Sequence, residues 1–209
     1  MIKYKTIEKE GQAEQIIEKS KFMGYAKPVE NKEEADIFFR QIRKLHKTAT
    51  HHVPAYVIGD QFQNQWASDD GEPQGTSGAP MVQMMVKKGI TNVAVIVVRY
   101  FGGIKLGTGG LVRAYTSTAQ MALEASFILW VKERHLLTVK VDYMYHGKIQ
   151  NVGTGALFHI EDTIYEEKVT LTLSMEPEQK EIAKRMILDI TSGTAKIMGE
   201  REELRKIKG

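Results

Sequence analysis

Cysteine is absent from the 209 residues of the sequence. Its absence excludes disulfide bonds, catalytic thiolates and zinc sites with cysteine ligands. Long apolar segments are also missing, because the longest run, residues 93–98, is far shorter than the roughly 20 residues that span a membrane. Residues 1–6 lack the basic and then apolar pattern of a signal peptide. We therefore expect a cytoplasmic protein with no membrane partner.

Neither sign of charge is in large excess. The sequence has 29 lysines and arginines against 26 aspartates and glutamates, which gives a net charge of +3. So small an excess does not by itself predict binding to nucleic acid. Apolar residues make up 42% and charged residues 26% of the chain, as is typical of globular proteins. Function must therefore be sought in particular segments.

The first part of the chain contains two clear elements. Residues 92–100 form a continuous apolar run, which predicts a central strand buried on both faces. Asn31 and Glu34 have the spacing of a capping box, so we expect a helix to begin after Asn31. Further helices are expected from Pro80 and after the glycines that end at residue 110.

The pattern restarts near residue 135 and predicts a second domain. Its strands and helices follow the order β-α-β-β-α-β, which is the split βαβ arrangement. The predicted helices cover residues 148–157 and 177–188. The sequence therefore predicts an α+β protein with domains at residues 1–132 and 133–209.

The most distinctive segment is a glycine-rich loop between the central strand and a helix. It contains Gly102, Gly103, Gly107, Gly109 and Gly110, together with Thr108. Glycines let backbone amides approach an oxyanion, and a helix N-terminus adds partial positive charge. Three cations, Arg99, Lys105 and Arg113, stand beside them. This pattern predicts a loop that binds phosphate or nucleic acid; a tight turn whose glycines serve only backbone geometry is the alternative.

Two familiar phosphate motifs do not match this loop. Gly102 and Gly107 have the spacing of a Walker A motif, but Thr108 stands where that motif has its lysine. Gly107 and Gly109 begin a dinucleotide fingerprint, but Val112 stands where the last glycine belongs. The sequence therefore predicts neither ATP hydrolysis nor a nicotinamide, and we expect no bound cofactor.

A second, acidic loop covers residues 68–80. Its candidate functional residues, with one histidine from the preceding strand, are His51, Asp69, Asp70, Glu72, Thr76 and Ser77. The carboxylates and His51 have the chemistry for acid–base work or Mg²⁺ binding, whereas a turn that uses its aspartates to bind local amides is the simpler interpretation. Thr76 and Ser77 lie among glycines that suit a second anion-binding turn. Because adjacent strand residues point to opposite faces, His51 and His52 do not predict a metal site.

These segments together resemble the YigZ/IMPACT family across essentially the whole chain. The matching motifs are Ala49-Thr50-His51, Asp69-Asp70-Gly71-Glu72-Pro73 with Gly75-Thr76-Ser77-Gly78, Arg99-Tyr100-Phe101-Gly102-Gly103, Lys105-Leu106-Gly107 and Gly109-Gly110-Leu111, and also Ser20-Lys21-Phe22. The chain departs from the family pattern at Val53-Pro54, where relatives often carry a cysteine and a polar or small residue.

The resemblance implies a fold and a biological setting. The front domain would have the fold of ribosomal protein S5 domain 2, and the rear domain would be ferredoxin-like, similar to the fifth domain of elongation factor G. Eukaryotic relatives regulate translation by competing for a ribosome-associated activator of the amino-acid-starvation kinase. RNA, the ribosome or translation factors are therefore the expected partners.

Three functions follow as hypotheses. The first is a non-enzymatic protein that binds RNA or the ribosome through Arg99, Lys105, Arg113 and the glycine loop, with Tyr100 or Phe101 stacked on a base unless they are core residues. The second is an enzyme for a phosphorylated or peptide substrate, with catalytic groups from the acidic loop and His51. The third is a protein-interaction module in translation or stress control. The oligomeric state is left open.

Overall fold

The structure is a computed structural model that describes residues 2–153 and 157–208. The chain forms two compact units. One comprises Lys3–Val131 with the end of the chain at 207–208, and the other comprises Lys132–Lys206 with residue 2. The predicted boundary between residues 132 and 133 falls inside a single strand, so the domain limits themselves stay a prediction.

The first unit is built around a five-stranded sheet. Up to residue 125 the chain forms strands β1 (Ile2–Ile7), β2 (Gly11–Ile17), β3 (Ser20–Pro28), β4 (His51–Ile58), β5 (Asn64–Ala67) and β6 (Val93–Tyr100), and helices α1 (Lys32–Leu45), α2 (Gly78–Lys87) and α3 (Gly107–Ala125). The sheet order is β2-β3-β6-β4-β5. Strand β6 is therefore central, as its apolar run predicts.

Strand β6 serves two hydrophobic cores because its side chains alternate between the two faces of the sheet. Val93, Val95 and Val97 are completely buried in a core that includes residues of α2 and α3. Ala94, Ile96 and Val98 belong to a second core that includes residues of α1. The prediction of a strand buried on both faces is confirmed.

Helix α1 begins where its sequence predicts. The Asn31 side chain accepts a hydrogen bond of 2.9 Å from the Glu34 amide. The Glu34 carboxylate in turn accepts one of 3.0 Å from the Glu30 amide. The first bond satisfies an amide of the first turn, and the second fixes the backbone of the residue that precedes the cap. The buried face of the helix carries Ala35, Phe38, Phe39 and Ile42.

The second unit is ferredoxin-like. From residue 128 the chain forms strands β7 (Ile128–Val141), β8 (His159–Tyr165), β9 (Val169–Met175) and β10 (Lys196–Lys208), helices α4 (Tyr143–Gly153) and α5 (Lys180–Ile190), and a 3₁₀ turn at Pro177–Gln179. Strand β7 pairs with β1, β9 and β10, and β9 pairs with β8. Among β7 to β10 the order is fourth, first, third and second strand. The predicted βαββαβ arrangement and the α+β class are confirmed; residues 154–156 of the predicted helix at 148–157 lie outside the described residues.

Candidate functional site

The acidic loop and the glycine loop meet around one cavity of about 430 Å³ in the first unit. The cavity lies beside the end of β6, where β4 begins and α3 follows. Its walls are Thr50, His51, Glu72, Pro73, Arg99, Phe101, Lys105, Leu106, Gly107, Thr108 and Leu111. Residues from both predicted loops thus lie together, although each loop contributes only part of its predicted set.

Arg99 lies against this cavity, but its charge is paired inside the protein. The residue is 4% exposed, and its Nη1 donates a 2.7 Å hydrogen bond to Oε1 of Glu72. The hydroxyl of Tyr115 donates to the same oxygen at 2.7 Å. Arg99 has this orientation because it is in phase with Val97, on the face of β6 that packs against α3. The ion pair holds the Arg99 guanidinium against Glu72, and the predicted contact of Arg99 with an outside phosphate stays a prediction.

Tyr115 and Ser20 are parts of this cluster that sequence reasoning missed. The Tyr115 ring is completely buried, and its burial, with the hydrogen bond to Glu72, raises the pKa of its phenol. Ser20 accepts hydrogen bonds from Nη2 of Arg99 and from the Gly102 amide, at 3.3 and 3.1 Å. Ser20 belongs to a family motif, but it lies far from Arg99 in sequence, so local patterns do not link the two.

His51 faces the same cavity with a defined ring orientation. Residue pairing between β4 and β6 places His51 opposite Arg99. Its Nδ1 lies 2.8 Å from the carbonyl oxygen of Asp70, which can only accept, so Nδ1 carries a proton. In the neutral ring Nε2 is then an acceptor. Nε2 lies 3.8 Å from Oε1 of Glu72, so the acceptor side of the ring is directed toward the cavity.

Asp69 occupies the turn that the sequence offers as a second anion site. Its carboxylate accepts hydrogen bonds from the amides of Gly75, Ser77 and Gly78 and from the Ser77 hydroxyl, at 2.7, 3.2, 2.8 and 2.7 Å. Thr76 instead donates its hydroxyl to the Pro73 carbonyl. The anion held by this turn is the chain's own carboxylate, which holds the loop at the start of α2. Asp69 therefore binds local backbone amides, which is the simpler of the two interpretations of the acidic loop.

Asp70 is also engaged away from the cavity. Its carboxylate accepts a 2.6 Å hydrogen bond from the His52 amide and forms a 2.8 Å ion pair with Arg43 of α1. The hypothesis of an acid–base site built from three carboxylates thus retains only Glu72 at the cavity. Among the described residues, no group of three or more histidines or acids is arranged to hold a metal ion.

Beyond Gly102, whose amide donates to Ser20, the glycine loop leaves its amides without protein acceptors up to the first turn of α3. Helix α3 begins earlier than the sequence suggests, at Gly107, which has a φ of +69°. It has no side-chain cap and no acid in its first turn. Within the described part of the chain, no residue accepts a hydrogen bond from the amides of residues 103–109. Gly107, Thr108 and Gly109 are exposed, so these donors are available to a ligand.

A basic groove of about 1110 Å³ begins at the same loop. Its exposed cations are Lys87, Lys88, Lys105 and Arg113. None of them forms an ion pair with a described residue, and Glu18 is the one acid among the described lining residues. The lysines at the end of α2 were not predicted as site residues, because only the packing of α2 beside α3 brings them to the glycine loop.

The two aromatic residues that follow Arg99 differ in exposure. The Tyr100 hydroxyl lies 2.9 Å from Nδ1 of His46, and its ring packs against the core under α1. Phe101 is 47% exposed and lines the cavity. Phe101 is therefore the aromatic residue of the pair that is open to a ligand.

Comparison with known proteins identifies both halves of the chain. The Impact N-terminal domain family matches residues 18–123, and a domain of unknown function (DUF1949) matches residues 139–194. The protein "IMPACT family member YvyE" of Bacillus subtilis is 36% identical over 204 residues, which cover 97% of this chain and 94% of that protein. The chain belongs to the IMPACT family.

Other members of the IMPACT family agree with this assignment. "IMPACT family member YigZ" of Escherichia coli is 43% identical over 109 residues, covering 51% of this chain and 53% of that protein. A crystal structure described as that of a hypothetical protein superposes with a TM-score of 0.58 at 28% identity, covering 93% of this chain and 95% of the other. No helix in the described part of the chain is both long and apolar enough to cross a membrane.

The IMPACT motifs coincide with the residues that build the cavity. His51, Glu72 and Arg99 meet there, while Ser20 supports Arg99 from β3. Asp69, from the same motif as Glu72, fixes the backbone of the acidic loop. The motifs thus encode a buried polar cluster, and the adjoining glycine loop presents free amides.

Asp69 makes the stability of this IMPACT-family domain depend on pH. Burial acts to raise the pKa of its carboxyl, but hydrogen bonds from Ser77, Gly75 and Gly78 outweigh it and lower the pKa. A carboxylate whose pKa is lower in the folded state stabilises above its unfolded pKa of about 3.9, and the contribution is lost as the pH falls through the folded value. We expect Asp69→Ala to lower the free energy of unfolding by about 1–2 kcal/mol at neutral pH, as for loss of a helix cap.

Urea unfolding at several pH values tests this expectation. The difference between the wild-type protein and Asp69→Ala should shrink below about pH 4 as the carboxylate becomes protonated. Asp69→Asn is the matched control, since it keeps one acceptor oxygen but does not titrate, and it should recover part of the loss. A difference that stays constant from neutral pH to the acid limit would contradict this role of Asp69.

Proposed function

We propose that this protein binds RNA through the phosphate backbone and acts in translation as a non-enzymatic, ribosome-associated factor. The observation that carries the proposal is the N-terminus of α3. There the unbonded amides of residues 103–109 adjoin four exposed cations that have no described acidic partner. Backbone amides and helix N-termini bind phosphate oxygens, and lysine and arginine supply most of the affinity for a polyanion.

The predicted cations have two different roles, one in binding phosphate and one inside the protein. Lys105 and Arg113 neutralise phosphates together with Lys87 and Lys88, which line the same groove. Arg99 keeps its charge inside the protein, where it holds Glu72. Contacts of this kind recognise the backbone and carry little sequence information. The resemblance to translation regulators of the IMPACT family supports a ribosomal setting for such binding.

Salt-dependent binding to a fluorescent single-stranded RNA tests the proposal. We expect Lys105→Ala and Arg113→Ala each to weaken binding about fivefold, which corresponds to about 1 kcal/mol. Each should also reduce the slope of log affinity against log salt by roughly 0.7 to 1, because one phosphate contact is lost. Lys44→Ala is the control, since Lys44 is an exposed cation on α1 outside the groove.

The outcomes separate the proposal from the alternatives. If the groove variants bind RNA as the wild type does, or if Lys44→Ala weakens binding equally, the assignment of the groove is wrong. Capture of ribosomal or regulatory proteins that survives nuclease treatment would favour the protein-interaction module instead. Loss of capture after nuclease treatment supports RNA as the partner.

A further inference from the structure

The cavity and the basic groove adjoin each other, because Lys105 and Leu106 line both. We propose that the cavity receives the base of one unpaired nucleotide that carries an exocyclic amino group, while its phosphate lies at the N-terminus of α3. This inference rests on the proposed function and names the chemical group that the site selects. It also assigns a role to the polar cluster of Glu72, His51 and Arg99, which does not contribute to binding of the RNA phosphate backbone.

The cavity presents hydrogen-bond acceptors where a base edge would lie. Glu72 is 8% exposed, and both of its strong hydrogen bonds, from Arg99 and Tyr115, end on Oε1. No described residue donates to its other oxygen, Oε2. His51 adds Nε2 as a second acceptor, because its Nδ1 donates to the Asp70 carbonyl. Neither acceptor has a donor among the described residues, so a ligand that covers the cavity is favoured if it donates to this pair.

The remaining walls suit a flat, apolar ring. Pro73, Phe101, Leu106 and Leu111 line the cavity, and its volume of about 430 Å³ falls within the range of pockets that bind small organic groups. Phe101 is half exposed, as an aromatic residue that stacks on an unpaired base must be. The guanidinium of Arg99 lies 5.3 Å from the centre of the Phe101 ring, which holds that ring beside the polar cluster.

Two acceptors discriminate between bases. Cytosine presents an amino donor at the position where uracil presents a carbonyl acceptor, and a carboxylate is a usual partner of that amino group. Uracil would place its O4 oxygen where cytosine has its amino group, against an acceptor, and could donate only through its N3–H. A site built to accept a hydrogen bond rejects an analogue that lacks the donor. Cytosine is therefore favoured over uracil, although the two rings have nearly the same size.

Binding of oligocytidylate and oligouridylate of about eight nucleotides, a length within the usual site size for single strands, tests the inference. We expect the wild-type protein to bind the cytidine oligomer about tenfold more tightly at neutral pH, as one good base contact provides. His51→Ala should reduce this preference to about twofold or less, because one acceptor is lost. Arg43 and the His52 amide still hold Asp70 in that variant.

Two further variants distinguish the cavity from the groove. Phe101→Leu keeps an apolar wall but removes the ring, and it should weaken both oligomers about fivefold without changing their ratio. Lys105→Ala should likewise weaken both. Equal binding of the two oligomers by the wild type, with the Lys105 effect intact, overturns the base pocket and leaves the proposed function standing. Absence of binding to either oligomer overturns both.

Discussion

Replacing Glu72 by alanine is expected to lower the free energy of unfolding of the first unit by about 3–5 kcal/mol. Loss of one partner of a buried ion pair costs this much because the other charge stays buried without compensation. Arg99 is that other charge, with 4% of its surface exposed and its Nη1 at 2.7 Å from Glu72. Tyr115 would lose the acceptor for its buried hydroxyl as well.

Urea unfolding followed by tryptophan fluorescence measures this loss selectively. Both tryptophans of the chain, Trp66 and Trp130, lie within the unit that comprises Lys3–Val131. Glu72→Gln is the matched control, since it keeps an oxygen acceptor for Arg99 and Tyr115 and should lose clearly less. If Glu72→Ala unfolds within 1 kcal/mol of the wild type, a margin typical of exposed pairs, the ion pair contributes far less than its burial implies.

Replacing Gly102 by alanine is expected to destabilise the first unit by at least about 3 kcal/mol, at the upper end for overpacking. A β-carbon at this position would overlap the backbone carbonyl of Lys19 and crowd the Ser20 amide. Backbone atoms cannot rotate away as a side chain can, so either the turn between β2 and β3 or the glycine loop must move. The Gly102 amide would then lose its bond to Ser20, and RNA binding should weaken along with stability.

Gly109→Ala provides the comparison for that experiment. Gly109 lies in the first turn of α3, and a β-carbon there would meet no atom within 4 Å. Because alanine is the better helix former, this variant should be as stable as the wild type or up to about 1 kcal/mol more stable. If the two variants are destabilised equally, the cause is a general need for glycine in the loop. The close contact of residue 102 with the Lys19 backbone would then not be the cause.

Local sequence patterns predicted the elements that depend on neighbouring residues. The capping box at Asn31 and Glu34 involves residues three positions apart. The buried strand β6 can be predicted from its continuous run of apolar residues. The start of α3 was harder to place, because glycines disfavour a helix and hide its first turn at Gly107–Gly110. The chain turns into the helix at Gly107, whose φ of +69° is readily adopted by glycine.

The polar cluster depends on contacts that sequence spacing does not reveal. Arg99 and Glu72 are 27 residues apart. From the sequence alone, each side chain is as compatible with solvent exposure as with a buried ion pair. Alternation along β6 contained one usable signal, since Arg99 is in phase with Val95 and Val97, which face the core under α3. The identity of its partner required the fold of the acidic loop, which Asp69 determines through four hydrogen bonds.

The central position of β6 has a consequence for how tightly the site can hold a ligand. Arg99 lies in the strand that is anchored in both cores, and the glycine loop follows it directly, so the cavity is attached to a segment that is buried on both faces. A site held in this way is preorganised, and little conformational entropy is lost when a ligand enters. Even a few contacts at the start of α3 can then yield useful affinity, because they are not offset by the ordering of a loose loop.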